Sequence, residues 1–203
     1  MKKLWWVSVW TALMIFCFVS SVYTDFYVIP LNKSNFAPVA TTGQTTSKRA
    51  HDDGELQKGV PWPSPRFTDH GDGTVTDNLT GLVWLEDARC DNEKTWNNAI
   101  DFCKNLNTGE CGLLDGSSEG EWRLPNVREL QSLIDYSEGN DSFAALPSGH
   151  PFDDVLEDDF WISTTEENPI GDTFAWKVDF THGATKPEAK TNTFHVWPVR
   201  DSK

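Results

Sequence analysis

Five acidic residues crowd one short segment in the C-terminal half of the chain. They are Asp153, Asp154, Glu157, Asp158 and Asp159. Clustered carboxylates are the ligands that calcium prefers, with loop carbonyl groups completing the coordination sphere. The segment therefore predicts a calcium site, and calcium is the one cofactor that the sequence suggests. The alternative is a solvated loop whose charges serve solubility.

Three cysteines lie beyond the N-terminal region, namely Cys90, Cys103 and Cys111. In an exported protein, two of them are expected to form a disulfide and the third to remain a thiol. Cys103 falls on the apolar side of a predicted helix, where a buried thiol packs well. Cys90 and Cys111 lie in the loops that flank this helix, so we expect them to pair. A Cys103–Cys111 disulfide is the competing arrangement, because sequence alone does not fix connectivity.

Residue spacing does not indicate a catalytic site. The five histidines are scattered and form no HxxxH pair. Ser163, Thr164 and Thr165 lack the surrounding glycines of a nucleophile elbow, and the chain has no glycine loop of the phosphate-binding type. The sequence therefore predicts a non-catalytic binding module rather than an enzyme.

The charge balance restricts the partners that such a module could bind. The 203 residues include 31 acidic and 17 basic side chains, which give a formal net charge of −14 at pH 7. A protein with this charge repels phosphate backbones, so we expect no nucleic-acid partner. Sulfated polysaccharides are disfavoured for the same reason, because sulfates need basic side chains.

The N-terminus predicts export. Two lysines precede the apolar run 4–19, and two serines follow it. These are the parts of a secretory signal peptide, which we place at residues 1–24. The alternative is an uncleaved membrane anchor, which would be the chain's contact with a membrane. Either interpretation predicts a periplasmic, cell-surface or extracellular location.

The remaining chain divides into a spacer and a domain. Residues 25–61 are rich in polar residues, Pro and Gly and have little apolar periodicity, so they predict a flexible spacer. Residues 62–203 have the length of a single domain with one core. Alternating or apolar runs predict strands at 66–69, 74–77, 82–85, 160–165, 173–180 and 193–200.

Two helices are predicted between these groups of strands. The first covers residues 95–106, where apolar side chains recur at helical spacing. The second follows Asn126, and the long loop region that would meet a ligand spans about residues 137–172. Strands, two helices, a long loop and further strands predict an α+β fold with a mostly antiparallel sheet.

The second helix lies in the signature segment, residues 121–136, which reads EWRLPNVRELQSLIDY. A proline ends the extended part, and a capping box begins the helix after it. These features explain the segment as architecture that joins helix to sheet. Its structural residues are Trp122, Arg123, Leu124, Pro125, Asn126 and Glu129.

Taken in order, several segments resemble the Lcl C-terminal domain family, named after the C-terminal domain of a collagen-like bacterial adhesin. They are RFTDHGDGTVTDNLTGLVWLED, TWNNAIDFC, EWRLPNVRELQSLIDY, FWISTT, AWKVDF and VWPVR, within residues 66–200. The resemblance implies a fold similar to C-type lectins and a place among exported bacterial proteins. It also implies adhesion or carbohydrate binding, with a glycan or a surface protein as the partner.

The chain departs from this family at two points. Pro198 stands where many relatives have a cysteine, and the EPN and QPD tripeptides of calcium-dependent lectins are missing. A structural or assembly subunit that mediates protein–protein contacts is the alternative function. An enzyme on a fold similar to formylglycine-generating enzymes is a further alternative.

Overall fold

The computed structural model describes residues 39–138, 146–155, 158–167 and 171–203. The predicted signal peptide and the first part of the predicted spacer lie outside these ranges, as does Glu157. Among the described residues, no helix has the length and apolar character needed to cross a membrane.

The largest described sheet has four antiparallel strands. In spatial order they are β1 Phe67–Asp69, β2 Thr74–Asp77, β3 Leu82–Leu85 and β9 Val199–Asp201. Gly73 makes the turn before β2 with a φ of 83°. A Cβ atom there would lie 2.6 Å from the carbonyl oxygen of Gly112, so both backbone conformation and space require glycine.

Two smaller sheets complete the fold. Strands β5 Asp159–Thr165, β6 Phe174–Asp179 and β7 Ala184–Ala189 form an antiparallel three-stranded sheet. Strands β4 Lys94–Thr95 and β8 Thr193–Phe194 form an antiparallel pair. With the helices between the strands, this architecture confirms the predicted α+β class and its mostly antiparallel sheets.

The helices are α1 Asp53–Leu56, α2 Trp96–Asn105 and α3 Val127–Gln131. The prediction for α2 is confirmed to within a residue at each end. Helix α3 is shorter than its apolar stripe, because Leu133 and Ile134 continue in turns with hydrogen bonds to the third preceding residue. Both side chains are nevertheless buried.

The last predicted strand, 193–200, is divided into two. Its first part pairs with β4 and its last part pairs with β3. Pro198 lies between them and has no backbone N–H to donate to a ladder. Strand β7 was not predicted, because its sequence, ATKPEA, is polar and contains a proline.

Tryptophan fills the interior. Trp84, Trp122, Trp161 and Trp197 are all almost fully buried. The rings of Trp84 and Trp197 meet edge to face at 5.6 Å, and the Trp197 Nε1–H donates to the carbonyl oxygen of Leu85 at 2.8 Å. The Trp122 and Trp161 Nε1–H groups also have partners, the Ser117 hydroxyl and the Lys94 carbonyl oxygen, whereas that of Trp84 is buried without one among the described residues. Three of the four buried indole groups thus combine apolar contact area with a satisfied polar edge.

The described part of the predicted spacer packs on the domain. All of the described residues belong to one compact unit. The Tyr136 N–H donates to the carbonyl oxygen of Thr42 at 2.9 Å, and Trp62 Nε1–H donates to that of Thr41 at 3.0 Å. Ala40 also forms a parallel β-bridge with Val60. These hydrogen bonds anchor a segment whose composition alone favours flexibility.

The predicted Cys90–Cys111 disulfide is present, and the competing Cys103–Cys111 pairing was wrong. Cys103 is a free thiol with no exposed surface. Burial raises the pKa of this thiol, so it remains protonated at neutral pH and contributes to the core as an apolar side chain.

Candidate functional site

The acidic residues of the predicted calcium site point to different partners. Asp159 forms a salt bridge with Lys177, and the Lys177 ammonium group lies 4.5 Å from the centre of the Phe194 ring. Asp158 instead lies 3.0 Å from Nε2 of His195. Two adjacent carboxylates therefore bind two different basic side chains.

The other members of that acidic segment lie elsewhere. The carbonyl oxygen of Asp154 accepts a hydrogen bond from Arg89 Nε at 3.0 Å. Asp153 forms a parallel β-bridge with Asp87, and its N–H donates to the carbonyl oxygen of Glu86 at 2.9 Å. Glu157 lies outside the described residues. Calcium binding by this segment stays a prediction.

Glu86 lies among like charges. Burial raises its pKa above the ordinary value, and four nearby carboxylates raise it further. Ionised carboxylates near one another disfavour the charged form of each. The neighbours are Asp69, Asp153, Asp72 and Asp87.

Asp158 belongs to a compact cluster that sequence spacing does not predict. One carboxylate oxygen of Glu93, one of Asp158 and one ring nitrogen of His195 lie within 4.8 Å of one another. The His195 Nε2 atom is 3.0 Å from Asp158 Oδ2 and 3.8 Å from Glu93 Oε1. The cluster therefore combines two carboxylates with an imidazole, a set of groups that suits divalent metal ions.

Strand pairing positions this cluster. In the β4–β8 ladder, Lys94 is opposite Phe194, so the next register position sets Glu93 opposite His195. His195 also forms a parallel bridge with Phe160, which brings it beside the start of β5 and hence beside Asp158. Three distant parts of the chain meet there because backbone hydrogen bonds hold them.

The imidazole is the most buried member of the cluster. The His195 side chain retains 10% of its accessible surface, against 46% for Glu93 and 41% for Asp158. The ring packs 5.6 Å from the ring of Phe160. Its Nδ1 atom is buried and has no hydrogen-bond partner among the described residues. Nε2 is therefore the ring atom that meets the carboxylates.

An open pocket of about 680 Å³ adjoins the cluster. Its lining is mostly polar, and the disulfide lies at its edge. The lining residues are Arg89, Cys90, Asp91, Asn92, Glu93, Thr193 and His195. Two of the three cluster residues are thus accessible to solvent or to a small ligand.

The signature residues form the architecture that the sequence predicts for them. Both oxygens of Glu129 accept hydrogen bonds from the Arg123 guanidinium group, at 2.7 and 2.8 Å. The Asn126 side chain accepts from the backbone N–H groups of Arg128 and Glu129, and the Asn126 N–H donates to Glu129 Oε2 at 2.8 Å. The capping box is complete.

The same segment joins two sheets. Arg123 exchanges two backbone hydrogen bonds with Val199, at 2.9 and 3.0 Å. The Pro125 carbonyl oxygen accepts from the Ser163 N–H at 2.8 Å, and the Thr164 hydroxyl accepts from the Val127 N–H at 3.1 Å. Segment 121–136 therefore links the four-stranded sheet to β5.

A groove of about 320 Å³ lies where α3 meets the three-stranded sheet. The partly buried Trp176 supplies an aromatic surface, and the Gln131 side chain donates to the Thr185 hydroxyl at 2.6 Å across the groove. The other lining residues include an amide, two hydroxyl side chains and a guanidinium group. The lining residues are Val127, Arg128, Gln131, Thr164, Trp176 and Thr185.

This groove only partly agrees with the predicted ligand region. Among the described residues, Thr164 is its one lining residue from the region 137–172. In β6, Phe174, Trp176 and Val178 alternate with Ala175, Lys177 and Asp179, which predicts a half-buried strand with Trp176 on its buried face. The structure differs, because Phe174 is exposed and Trp176 only partly buried, whereas Ala175 and Lys177 are buried. The alternation also does not show that Gln131 and Thr185 line the same groove as Trp176. The sequence likewise contained no local signal for Glu93 and His195, which are brought together by strand pairing.

Comparison with known proteins gives a match to one protein family. Residues 73–200 match the model of the Lcl C-terminal domain. No curated protein matches the chain.

Proposed function

The chain belongs to the Lcl C-terminal domain family, and from this premise we propose that it is an exported, surface-associated binding module whose ligand is a glycan. The proposal includes a C-type-lectin-like arrangement of the domain and an adhesive, non-catalytic role. The Cys90–Cys111 disulfide supports export, because such bonds persist in oxidising compartments outside the cytosol.

The observation that carries the proposal is the groove around Trp176. An indole face packs against the C–H groups of a sugar ring, while amide and hydroxyl groups hydrogen-bond to sugar hydroxyls. Trp176, Gln131 and Thr185 supply these groups within one groove. The partial burial of Trp176 also holds the ring in place, which lowers the entropy lost on binding.

The chemistry of the groove selects the class of glycan. Its described lining includes one basic side chain, Arg128, and the chain carries a net charge of −14. A neutral or weakly acidic glycan therefore fits better than a heavily sulfated one. None of the described lining residues is a carboxylate, so binding is expected to be independent of calcium.

A glycan array tests this proposal with the full chain, with and without calcium. We expect the same glycans to bind under both conditions. Trp176→Leu keeps apolar bulk but removes the aromatic face, and it should weaken binding about two- to tenfold, the effect of losing one aromatic contact. Gln131→Ala should weaken binding without altering the core.

Trp62→Leu is the matched control. Trp62 is another partly buried tryptophan, and it contacts Thr41 and Arg66 outside the groove. Equal losses from Trp62→Leu and Trp176→Leu would overturn the groove as the binding site. Absence of glycan binding together with concentration-dependent oligomers would favour the assembly subunit instead.

A further inference from the structure

We propose that Glu93, Asp158 and His195 form a binding site for a divalent transition-metal ion, with Zn²⁺ as the ion that best fits the ligand set. The three ligand atoms lie within 4.8 Å of one another. This site is separate from the Trp176 groove in its residues, and the inference does not depend on the proposed glycan function.

The types of ligand favour zinc over calcium. Zn²⁺ binds histidine nitrogen and carboxylate oxygen in four-coordinate sites, often with three protein ligands and one water. Calcium instead takes six to eight oxygen ligands. A set of one imidazole nitrogen and two carboxylate oxygens therefore suits Zn²⁺, or a similar transition-metal ion, better than calcium.

The distances are close to those of such a site. With metal–ligand bonds of about 2.0 to 2.2 Å, the ligand atoms of a tetrahedral site lie about 3.3 to 3.6 Å apart. The His195 Nε2 atom is 3.0 Å from Asp158 Oδ2 and 3.8 Å from Glu93 Oε1. Small side-chain rotations of the half-exposed Glu93 and Asp158 would bring all three atoms to one ion.

Charge supports a cation at this position. Two carboxylates that face one atom repel each other when both are ionised, and a divalent cation removes that repulsion. Asp158 also accepts the Asp159 N–H at 2.8 Å, and Glu93 accepts the Thr193 hydroxyl at 3.0 Å. These hydrogen bonds orient the carboxylates towards the imidazole, as outer partners do in metal sites.

The backbone already holds His195 in place. Its N–H donates to the carbonyl oxygen of Asp159 at 3.1 Å, and its own carbonyl oxygen accepts from the Trp161 N–H at 3.0 Å. A ligand fixed in this way loses little freedom when a metal binds. The adjoining pocket of about 680 Å³ gives water or a small oxygen ligand access to a fourth coordination position.

A second histidine–carboxylate pair provides an internal control. The His182 Nδ1 atom lies 3.0 Å from Asp179 Oδ2, the same distance as in the His195–Asp158 pair. Among the described residues, the only group of three ligands with metal-site geometry is the one that contains His195. The His182–Asp179 pair is not part of such a group of three, so we expect it not to bind Zn²⁺ tightly.

The test is titration of the full chain, first stripped with a chelator, with Zn²⁺ and separately with Ca²⁺ by isothermal titration calorimetry. Metal content after dialysis gives the stoichiometry. We expect one Zn²⁺ per chain, no comparable binding of Ca²⁺ at this site and a rise in Tm on addition of Zn²⁺.

Three variants locate the site. Glu93→Gln and Asp158→Asn should each weaken the Zn²⁺ Kd by at least about tenfold, the effect of losing even an indirect partner of a metal ion. Both should reduce the Zn²⁺-dependent rise in Tm at a fixed Zn²⁺ concentration. His182→Gln should leave the Kd and the rise in Tm unchanged.

Glu93 is half exposed, so Glu93→Gln should fold normally, and its Tm in chelator checks this. If Glu93→Gln binds Zn²⁺ with the same Kd as the wild type, the proposal is wrong. So would a lack of stoichiometric Zn²⁺ binding by the wild type, or an equal loss of affinity in His182→Gln.

Discussion

Two groups of charged residues in this domain differ in how their charges are compensated. In the Arg66–Asp77 pair, the side chains retain 7% and 0% of their accessible surface. Both oxygens of Asp77 accept from Arg66, at 2.7 and 3.2 Å, and they also accept from Leu79 and Thr80. In the Glu93–Asp158–His195 cluster, two half-exposed carboxylates share one imidazole.

This difference distinguishes scaffold charges, which stabilise the fold, from site charges, which are open to a ligand. The buried pair has several fixed hydrogen bonds. Arg66 also donates to the carbonyl oxygen of Ser132 at 2.7 Å, which joins the residue before β1 to the residue after α3. The open cluster has more negative than positive groups and adjoins a pocket. Removing a scaffold charge should lower the free energy of unfolding, whereas removing a site charge should affect ligand binding.

The largest effect is expected from Asp77→Ala. It leaves the Arg66 guanidinium group buried without its carboxylate, which costs about 3 to 5 kcal/mol. Urea unfolding followed by circular dichroism measures the loss of unfolding free energy. Asp77→Asn, which retains a hydrogen-bonding side chain, should lose less. A loss below about 1 kcal/mol in Asp77→Ala would show that the pair contributes like a surface ion pair.

A smaller effect is expected at the start of α3. Asn126→Ala removes a side chain that caps two backbone N–H groups, and should reduce the unfolding free energy by about 1 kcal/mol. Asn126→Asp keeps an acceptor and is the control. If both variants lose equal stability in urea, the capping bond is not the cause.

Glu86→Gln should stabilise the domain slightly at neutral pH, by less than about 1 kcal/mol. Burial and neighbouring carboxylates raise the folded-state pKa of Glu86, so the folded state binds this proton more tightly than the unfolded state. The resulting stability is present at low pH and is lost as pH rises through the folded pKa. The advantage of Glu86→Gln should therefore shrink as pH falls from neutral into the acid range.

Unfolding curves of wild type and Glu86→Gln measured across that range test the sign. An advantage of Glu86→Gln that grows as pH falls would contradict the assigned cause. Glu119→Gln is the matched control, because Glu119 is exposed.

The smallest effect on stability is expected from Glu93→Gln in chelator. Glu93 is half exposed, and such surface changes usually alter the unfolding free energy by less than about 0.5 kcal/mol. Urea unfolding should therefore give nearly equal midpoints for wild type and variant without metal. A loss as large as that of Asp77→Ala would place Glu93 in the scaffold.

Much of the scaffold could be predicted because its causes are local. The capping box at Asn126 involves residues three apart, and the turn at Gly73 depends on one backbone conformation. The Cys90–Cys111 pairing was also predicted, but only as one of two arrangements, because flanking loops suggest proximity without fixing it. Strand β7 was missed, since ladder pairing with β6 outweighs its weak propensity.

The sequence by itself determined the α+β class, the helix α2, the signature segment and the family, because periodicity, caps and turns act over a few residues. Only the tertiary structure decided which charges meet. His195 contacts Asp158 across 37 positions, and Thr193 contacts Glu93 across 100. Hydrogen bonds between β4, β8 and β5 bring these side chains together. The spacing of histidines and acidic residues along the chain does not predict these contacts.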